Sequence, residues 1–272
     1  MAARATIVGA AGFVGGRLRE RLGRDGAEVF APAKGDPALF ERDLGVVYYC
    51  AGLTADYAQR PFDTVEAHAT LVAEMASRAT FERFVYTSST RLYDAADRGG
   101  GDMHEDLPLA LQPAEPRHIY DLSKALGENI ALTQMAGRGG VARLSNVFGW
   151  RDGDPGFLSA WLVAARGGRA LTLQSSPHIA RDYIHVDDVV EALIAIAEAP
   201  EPGVVNVAGG ALTTNADLAA LFAEEGWQVT FTGQANPPAP PNADIARLRA
   251  LGVSPRGVKD VVRGYLRTEA LA

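Results

Sequence analysis

The chain has 272 residues, 47% hydrophobic and 22% charged, with a formal net charge of −7. That length holds one large core, or a core with a smaller lobe, and the composition excludes a disordered chain. No apolar run approaches the ~20 residues of a spanning helix, and an acidic balance with no basic block argues against a nucleic-acid partner.

In chain order, apolar strand-like runs alternate with helical patterns. Strands are expected at 5–10, 27–32, 46–52, 83–89 and 140–146, and helices at 14–24, 63–79 and 119–136. Short apolar strands alternating with helices describe a parallel sheet covered on both faces, so the fold class is α/β, a Rossmann-type doubly wound parallel sheet. The helix at 119–136 carries apolar residues at 119, 122, 126, 130 and 132 and ends near Gly137. Residues 94–116 read as a long polar loop, and the proline-rich stretch 232–243 as an extended surface segment. Past Phe148 the alternation weakens. The expected division is a dinucleotide-binding domain over 1–148, to which 181–199 returns, with 149–180 and 200–272 mainly a smaller substrate-binding lobe.

Three local patterns carry chemistry. In TIVGAAGFVGGRL, Gly9, Gly12 and Gly15 lie between the first strand and the first helix. Glycines there allow a tight turn and close approach of the backbone to a pyrophosphate, which the free N–H groups of the helix N-terminus attract. Phe13 and Val14 join Gly9, Gly12 and Gly15 as expected cofactor contacts. In YDLSK, Tyr120 and Lys124 are four apart and share a helix face, so the ammonium is placed to favour an ionised phenol that serves as acid or base; the alternative is a ring packed on an aliphatic stem. In YTSST, Ser89 and Thr90 end the fourth strand, where open α/β sheets bind ligands.

A lone cysteine, Cys50, cannot form an internal disulfide and reads as a buried structural thiol. The five histidines form no metal-ligand spacing, so no metal is expected. The opening MAARATIVGAAGF lacks the charged-then-apolar pattern of a leader, and a cytoplasmic location is expected.

Taken in order, these patterns resemble the extended short-chain dehydrogenase/reductase family, the group that includes the NAD-dependent epimerases and dehydratases. FVYTSSTRLYD is similar to that family's catalytic Ser/Thr strand, PRHIYDLSKALGE to its Tyr/Lys helix and RLSNVFG to its Arg-x-x-Asn-x-x-Gly segment. RDYIHVDDVVEAL resembles the stretch that brings an arginine to the diphosphate in sugar-nucleotide members. The resemblance implies Tyr120 as acid/base, Lys124 as the group that lowers its pKa and binds the nicotinamide ribose, and Ser89 as the group positioning the reacting oxygen. Ser89, Thr90, Asn146 and Arg181 would contact a nucleotide-sugar, Arg181 through its phosphates. The alternative for Arg181 is an ion pair with Asp182 or Asp187. His185 reads as structural.

The pattern also departs from the family. Where NAD-specific members carry an acid after the second strand, this chain has Ala33 and Lys34; a cation there favours NADP over NAD, with Lys34 as the contact, and a solvated lysine is the alternative. Between Ala33 and Val46 there is no room for the usual third strand, so Asp36 and Asp43 receive no ribose role. The carboxylate pair of the dehydratases is replaced by Thr90 and Arg91, which disfavours dehydration. The expected protein is therefore an NADP- or NAD-dependent oxidoreductase or isomerase, a homodimer acting on a nucleotide-sugar as 4-epimerase or 4-ketosugar reductase. The alternatives are a reductase of a small carbonyl compound and a non-catalytic NADP-sensing protein.

Overall fold

Alternation along the apolar runs decides which layer each side chain joins. A computed structural model of the chain describes residues 4–54, 56–94, 101–135 and 137–270. In β1 (Arg4–Val8) Ile7 faces one side of the sheet and Val8 the other; in β3 (Val46–Tyr49) Tyr48 joins Ile7, and Val47 and Tyr49 join Val8. With β2 (Glu28–Phe30), β4 (Arg83–Ser89), β5 (Gly139–Leu144) and β9 (Val204–Val207) they form a six-stranded parallel sheet, ordered β2-β1-β3-β4-β5-β9. One face is covered by α1 (Phe13–Arg24) and α6 (Val186–Glu198) through Leu18, Leu22, Val189 and Leu193. The other is covered by α3 (Leu71–Arg78) and α4 (His118–Gln134) through Val72, Met75, Ile130 and Ala131. The fold is a doubly wound Rossmann-type α/β sheet.

Three departures from the sequence reading matter. The helix expected at 63–79 is broken: α2 (Pro61–Val65) passes through a π-helical turn, Glu66–Thr70, into α3. Two carbonyls of that wide turn are taken by tyrosine hydroxyls, Tyr49 Oη donating to Ala67 O at 2.6 Å and Tyr86 Oη to His68 O at 2.9 Å. Of the expected apolar stripe of α4 only Ile130 is buried, and Leu126 is 51% exposed. The rest of the buried face is largely polar, with Tyr120, Asp121, Ser123, Lys124 and Glu128 beside Gly127 and Ala131. Glu128 is tolerated because Arg143 grips it twice, at 2.9 and 2.7 Å. Residues 204–207, allotted to the second lobe, instead form β9 of the large sheet.

The connections agree with the sequence reading. Between β2 and β3 lies only a 3-10 turn, Pro37–Leu39, which leaves β2 at the sheet edge among the described residues. Asp36 caps that turn by accepting from Ala38 N at 3.0 Å, and Asp43 accepts from Gly45 N at 3.0 Å, so both carboxylates serve the backbone. Residues 101–116 hold no helix or strand up to the start of α4, only an isolated bridge from Met103 to Ala243, where the exposed proline-rich segment ends; 95–100 of the expected loop lie outside the described residues.

The second lobe packs around Trp161, Leu162, Phe222, Trp227 and Leu266. It contains α5 (Phe157–Ala165), α7 (Asn215–Glu224) and α9 (Val258–Thr268), with β7 (Ala170–Leu173) paired to β11 (Gln228–Phe231). Between the lobes, β8 (Ala180–His185) is flanked by β6 (Asn146–Phe148) and β10 (Leu212–Thr214), and α8 (Ala246–Ala250) packs against β9. No helix among the described residues is long and apolar enough to cross a membrane.

Candidate active site

The turn after β1 is built by glycines whose missing side chains let backbones meet. Gly9 has φ +88°, and a Cβ there would stand 2.7 Å from Ala51 N; a Cβ on Gly15 would stand 2.4 Å from Gly9 O. Their bareness lets α1 start hard against the sheet. Gly12 then caps α1 with no side-chain bond, and its first turn holds no acid. Its leading N–H groups and partial positive charge are left for an anion.

That helix start opens into a cavity of about 510 Å³ at the C-terminal ends of the strands, lined on one side by Gly12, Phe13 and Val14. Ser89, Tyr120 and Lys124 line its floor; Asn146 and Arg181 line it from the strands between the lobes and Phe157 from the second lobe. Gly9, Gly15, Lys34 and Thr90 are not in its wall. Thr90 begins a 3-10 turn, Thr90–Tyr93, and donates its hydroxyl to Leu144 O at 3.3 Å. Lys34 is 84% exposed, its Nζ 3.9 Å from the Asp63 carboxylate.

Tyr120 is buried, and burial pushes its phenol above the ordinary value; the Ser89 hydroxyl, hydrogen-bonded to the phenol, and the Arg91 guanidinium pull it back. Lys124 shares the face with Tyr120. Its ammonium donates to Thr87 O at 2.8 Å and sits 4.9 Å from the centre of the Tyr86 ring. Burial lowers it to about 7, so it sits near the midpoint of its titration at neutral pH. Beside it burial pushes the Cys50 thiol up to about 12, which makes it a poor nucleophile.

Arg181 lies with its guanidinium carbon 4.9 Å from the Phe157 ring centre, and its Nη1 is buried without a hydrogen-bond partner. The two carboxylates weighed as its partners are engaged elsewhere. Asp182 accepts from Ser145 Oγ, Gly209 N and Gly210 N at 2.7–2.8 Å, and Asp187 faces His185 and Arg256. Asn146 Nδ2 donates to Asp182 O at 2.9 Å. His185 caps α6 by accepting from Asp187 N at 3.3 Å, its ring packed against Phe148 and Trp150.

Two contacts of Tyr120 are not legible in the sequence. His68, in the π-helical turn, is fully buried and places its ring edge-on to Tyr120 at 5.1 Å. Its Nδ1 meets Ser123 Oγ at 2.9 Å, its Nε2 accepts from Leu53 N at 3.3 Å, and burial beside Lys124 pushes its pKa down to about 2, so the imidazole is neutral. No motif marks it; only the turn brings it inward. Arg91 is noticed in the sequence for replacing a carboxylate, but its contact with Tyr120 is not legible there. Among the described residues no group of three His, Cys, Asp or Glu could hold a metal ion.

An uncapped helix start after a glycine turn, with a Ser, a Tyr and a Lys facing one cavity, defines a dinucleotide-dependent enzyme of the extended short-chain dehydrogenase/reductase type. Residues 5–208 match the model of the NAD dependent epimerase/dehydratase family, and the chain belongs to that family. It is 32% identical over 259 residues to dTDP-6-deoxy-L-talose 4-dehydrogenase (NAD(P)(+)) of Kitasatospora kifunensis, covering 82% of this chain and 79% of that protein. Among solved structures it is similar to MoeE5 in complex with UDP-glucose and NAD (TM-score 0.78, 24% identity, 97% of both chains). It is also similar to RMD from Pseudomonas aeruginosa complexed with NADPH (TM-score 0.76, 22% identity, 98% of this chain and 97% of that one). The two structural likenesses show a shared fold.

Proposed function

We propose that the chain is an NAD(P)-dependent 4-ketosugar reductase or 4-epimerase acting on a nucleotide-activated sugar. The observation that carries this reading is a single cavity in which a buried phenol with its hydroxyl partner faces a helix start on one side and, on the other, an arginine whose Nη1 is buried without a hydrogen-bond partner. The residues fit a dinucleotide. Gly12, Phe13 and Val14 would hold its pyrophosphate on the N-terminus of α1, and the buried Ser88 Oγ in the cavity wall has no partner. Lys124 would reach the nicotinamide ribose. When bound, the dinucleotide supplies or accepts a hydride at a sugar carbon.

The protein's own share is proton movement and orientation. Tyr120 exchanges a proton with the sugar oxygen, and Ser89 donates a hydrogen bond to the same oxygen. Arg181 supplies a fork for phosphate oxygens, a role that its buried, unmet Nη1 in the cavity wall supports over an ion pair with Asp182 or Asp187. The resemblance to a talose 4-dehydrogenase supports redox chemistry at the sugar's fourth carbon. NADP is favoured over NAD by Lys34 in place of an acid, though Lys34 stands outside the cavity wall. We further propose a homodimer formed through the outward side of α2 and α4, where Phe62 is 87% and Leu126 51% exposed.

The test is direct. Purified protein is incubated with NADP(H) or NAD(H) and with UDP-, dTDP- and GDP-sugars, while nicotinamide absorbance and product stereochemistry are followed. Net cofactor consumption with a 4-keto sugar supports the reductase, and stereochemical inversion without net consumption supports the epimerase. Turnover of small carbonyl compounds alone overturns the nucleotide-sugar reading, and stabilisation by dinucleotide with no turnover supports a sensor.

A further inference from the structure

The family's Tyr-x-x-x-Lys spacing assigns the charge that steadies the phenolate to the lysine. Here the lysine is turned toward the strand, its ammonium donating to Thr87 O. A different cation touches the phenol. The guanidinium carbon of Arg91 lies 4.9 Å from the centre of the Tyr120 ring and 4.7 Å from that of Tyr57, and those two rings are 5.3 Å apart. Arg91 is held in this place from three directions: Nη2 donates to Tyr57 Oη at 2.6 Å, Nε lies 3.7 Å from Asp121 Oδ1, and the backbone is fixed by the 3-10 turn Thr90–Tyr93. Its backbone N–H donates to Ser89 Oγ at 3.2 Å.

We propose that Arg91 is a positioning residue that acts on Tyr120 twice, through its guanidinium on the ring and through its N–H on Ser89. This inference rests on the reading of Tyr120 as the acid/base. The ring effect follows from charge. A phenolate spreads negative charge into its π system, so a guanidinium over the ring attracts the ionised form more strongly than the neutral one. The backbone effect follows from proton counting. Ser89 Oγ, with a lone pair occupied by the Arg91 N–H, keeps its own proton free to donate to the phenol oxygen, which again favours the ionised form.

The other groups around the phenol set the competition. Tyr57 from the loop before α2, His68 from the π-helical turn and Tyr86 from β4 are uncharged neighbours. Asp121 on the phenol's own helix opposes ionisation, but it is itself faced by Arg91, Arg117 and His118. Lys124 faces the Tyr86 ring. Arg91 is thus the cation that the described residues stack on the Tyr120 ring, and burial of Tyr120 is what it offsets.

The experiment measures Tyr120 ionisation with and without turnover. Tyrosinate absorbance is titrated in the parent, Arg91→Gln, Arg91→Lys, Tyr57→Phe and Lys124→Met, each with the matching Tyr120→Phe background subtracted; pH profiles of kcat with the substrate found above run in parallel. Arg91→Gln is expected to move the Tyr120 midpoint up by about one pH unit. Arg91→Lys should restore part of it, and Tyr57→Phe, which keeps the charge and loosens its hold, should give a smaller upward shift. An unmoved midpoint in folded Arg91→Gln overturns the proposal, as does a larger shift from Lys124→Met. If Arg91→Gln does not fold, Tyr57→Phe with an unmoved midpoint overturns it instead. A parent that turns over no nucleotide-sugar while its Tyr120 midpoint responds to Arg91 refutes the proposed function and leaves this inference standing.

Discussion

Arg17 on α1 and Asp154 in the loop before α5 form an ion pair at 3.0 Å, with side chains only 12% and 10% exposed. The same carboxylate oxygen accepts from Arg151 N at 2.9 Å. The helix that starts at the glycine turn is therefore tied to the loop leading into Pro155, Gly156 and Phe157, the far wall of the cavity. Arg17→Ala leaves a mostly buried carboxylate without its cation and is expected to cost roughly 2 to 3 kcal/mol in urea unfolding. A double-mutant cycle with Asp154→Asn should give a coupling of about 1 kcal/mol or more. Additive effects would mean that the pair contributes nothing.

Tyr120→Phe keeps the ring contacts with Tyr57 and His68 and removes only the hydroxyl. Turnover is expected to fall by about 10²- to 10⁴-fold, with dinucleotide affinity nearly unchanged. Calorimetric binding beside steady-state kinetics checks both halves, and a variant with parental kcat removes the phenol from the mechanism.

His68 couples the site to acid. Its folded value of about 2 lies below the ordinary 6.5, so between those values the unfolded chain binds a proton that the folded chain refuses. Stability that His68 permits at neutral pH is thus lost as pH falls through 6.5 toward 2, by roughly 2 kcal/mol at pH 5. His68→Gln is expected to start less stable at pH 7 and to lose less on going to pH 5. Equal losses in the two proteins would assign the acid sensitivity to other groups.

Arg181→Ala should raise KM for a nucleotide-sugar by at least about tenfold, as for a charge-assisted contact of about 1.5 to 3 kcal/mol, while cofactor affinity stays put. Lysine restores only part, since a point charge lacks the fork. Melting temperature is measured alongside. A large loss of stability with unchanged KM would mark Arg181 as a packing partner of Phe157 instead.

Cofactor choice is read at Lys34. If its ammonium leaves Asp63 for a 2′-phosphate, Lys34→Ala weakens NADPH binding by about 1 kcal/mol and leaves NADH unchanged. Equal effects on both cofactors would make Lys34 a solvated lysine.

What the sequence made legible depended on whether the signal was local. The β4 strand Arg83–Ser89 and the α1 helix follow from alternation and from the glycine turn, both of which act over neighbouring residues. The buried face of α4 did not follow. Hydrophobic periodicity assumes an apolar core, whereas this helix buries Lys124 and Glu128 against polar partners supplied by distant strands. The same distance hid His68. A π-helical turn has no compositional mark, and its freed carbonyls are satisfied by tyrosines of β3 and β4 that no local window contains.

The shortened stretch after β2 also affects how copies of the chain can meet. A bare sheet edge invites strand addition by another copy, and natural proteins discourage this with short edge strands and charge. Here the edge is three residues long, its Glu28 is met by Arg4 at 3.9 Å and Arg42 at 3.3 Å, and the Arg42 guanidinium covers the Phe30 ring at 4.5 Å. Docking a second strand there would strip water from three charges and displace a cation from an aromatic face. Runaway ribbon growth is thus opposed at this edge by its shortness and its charges.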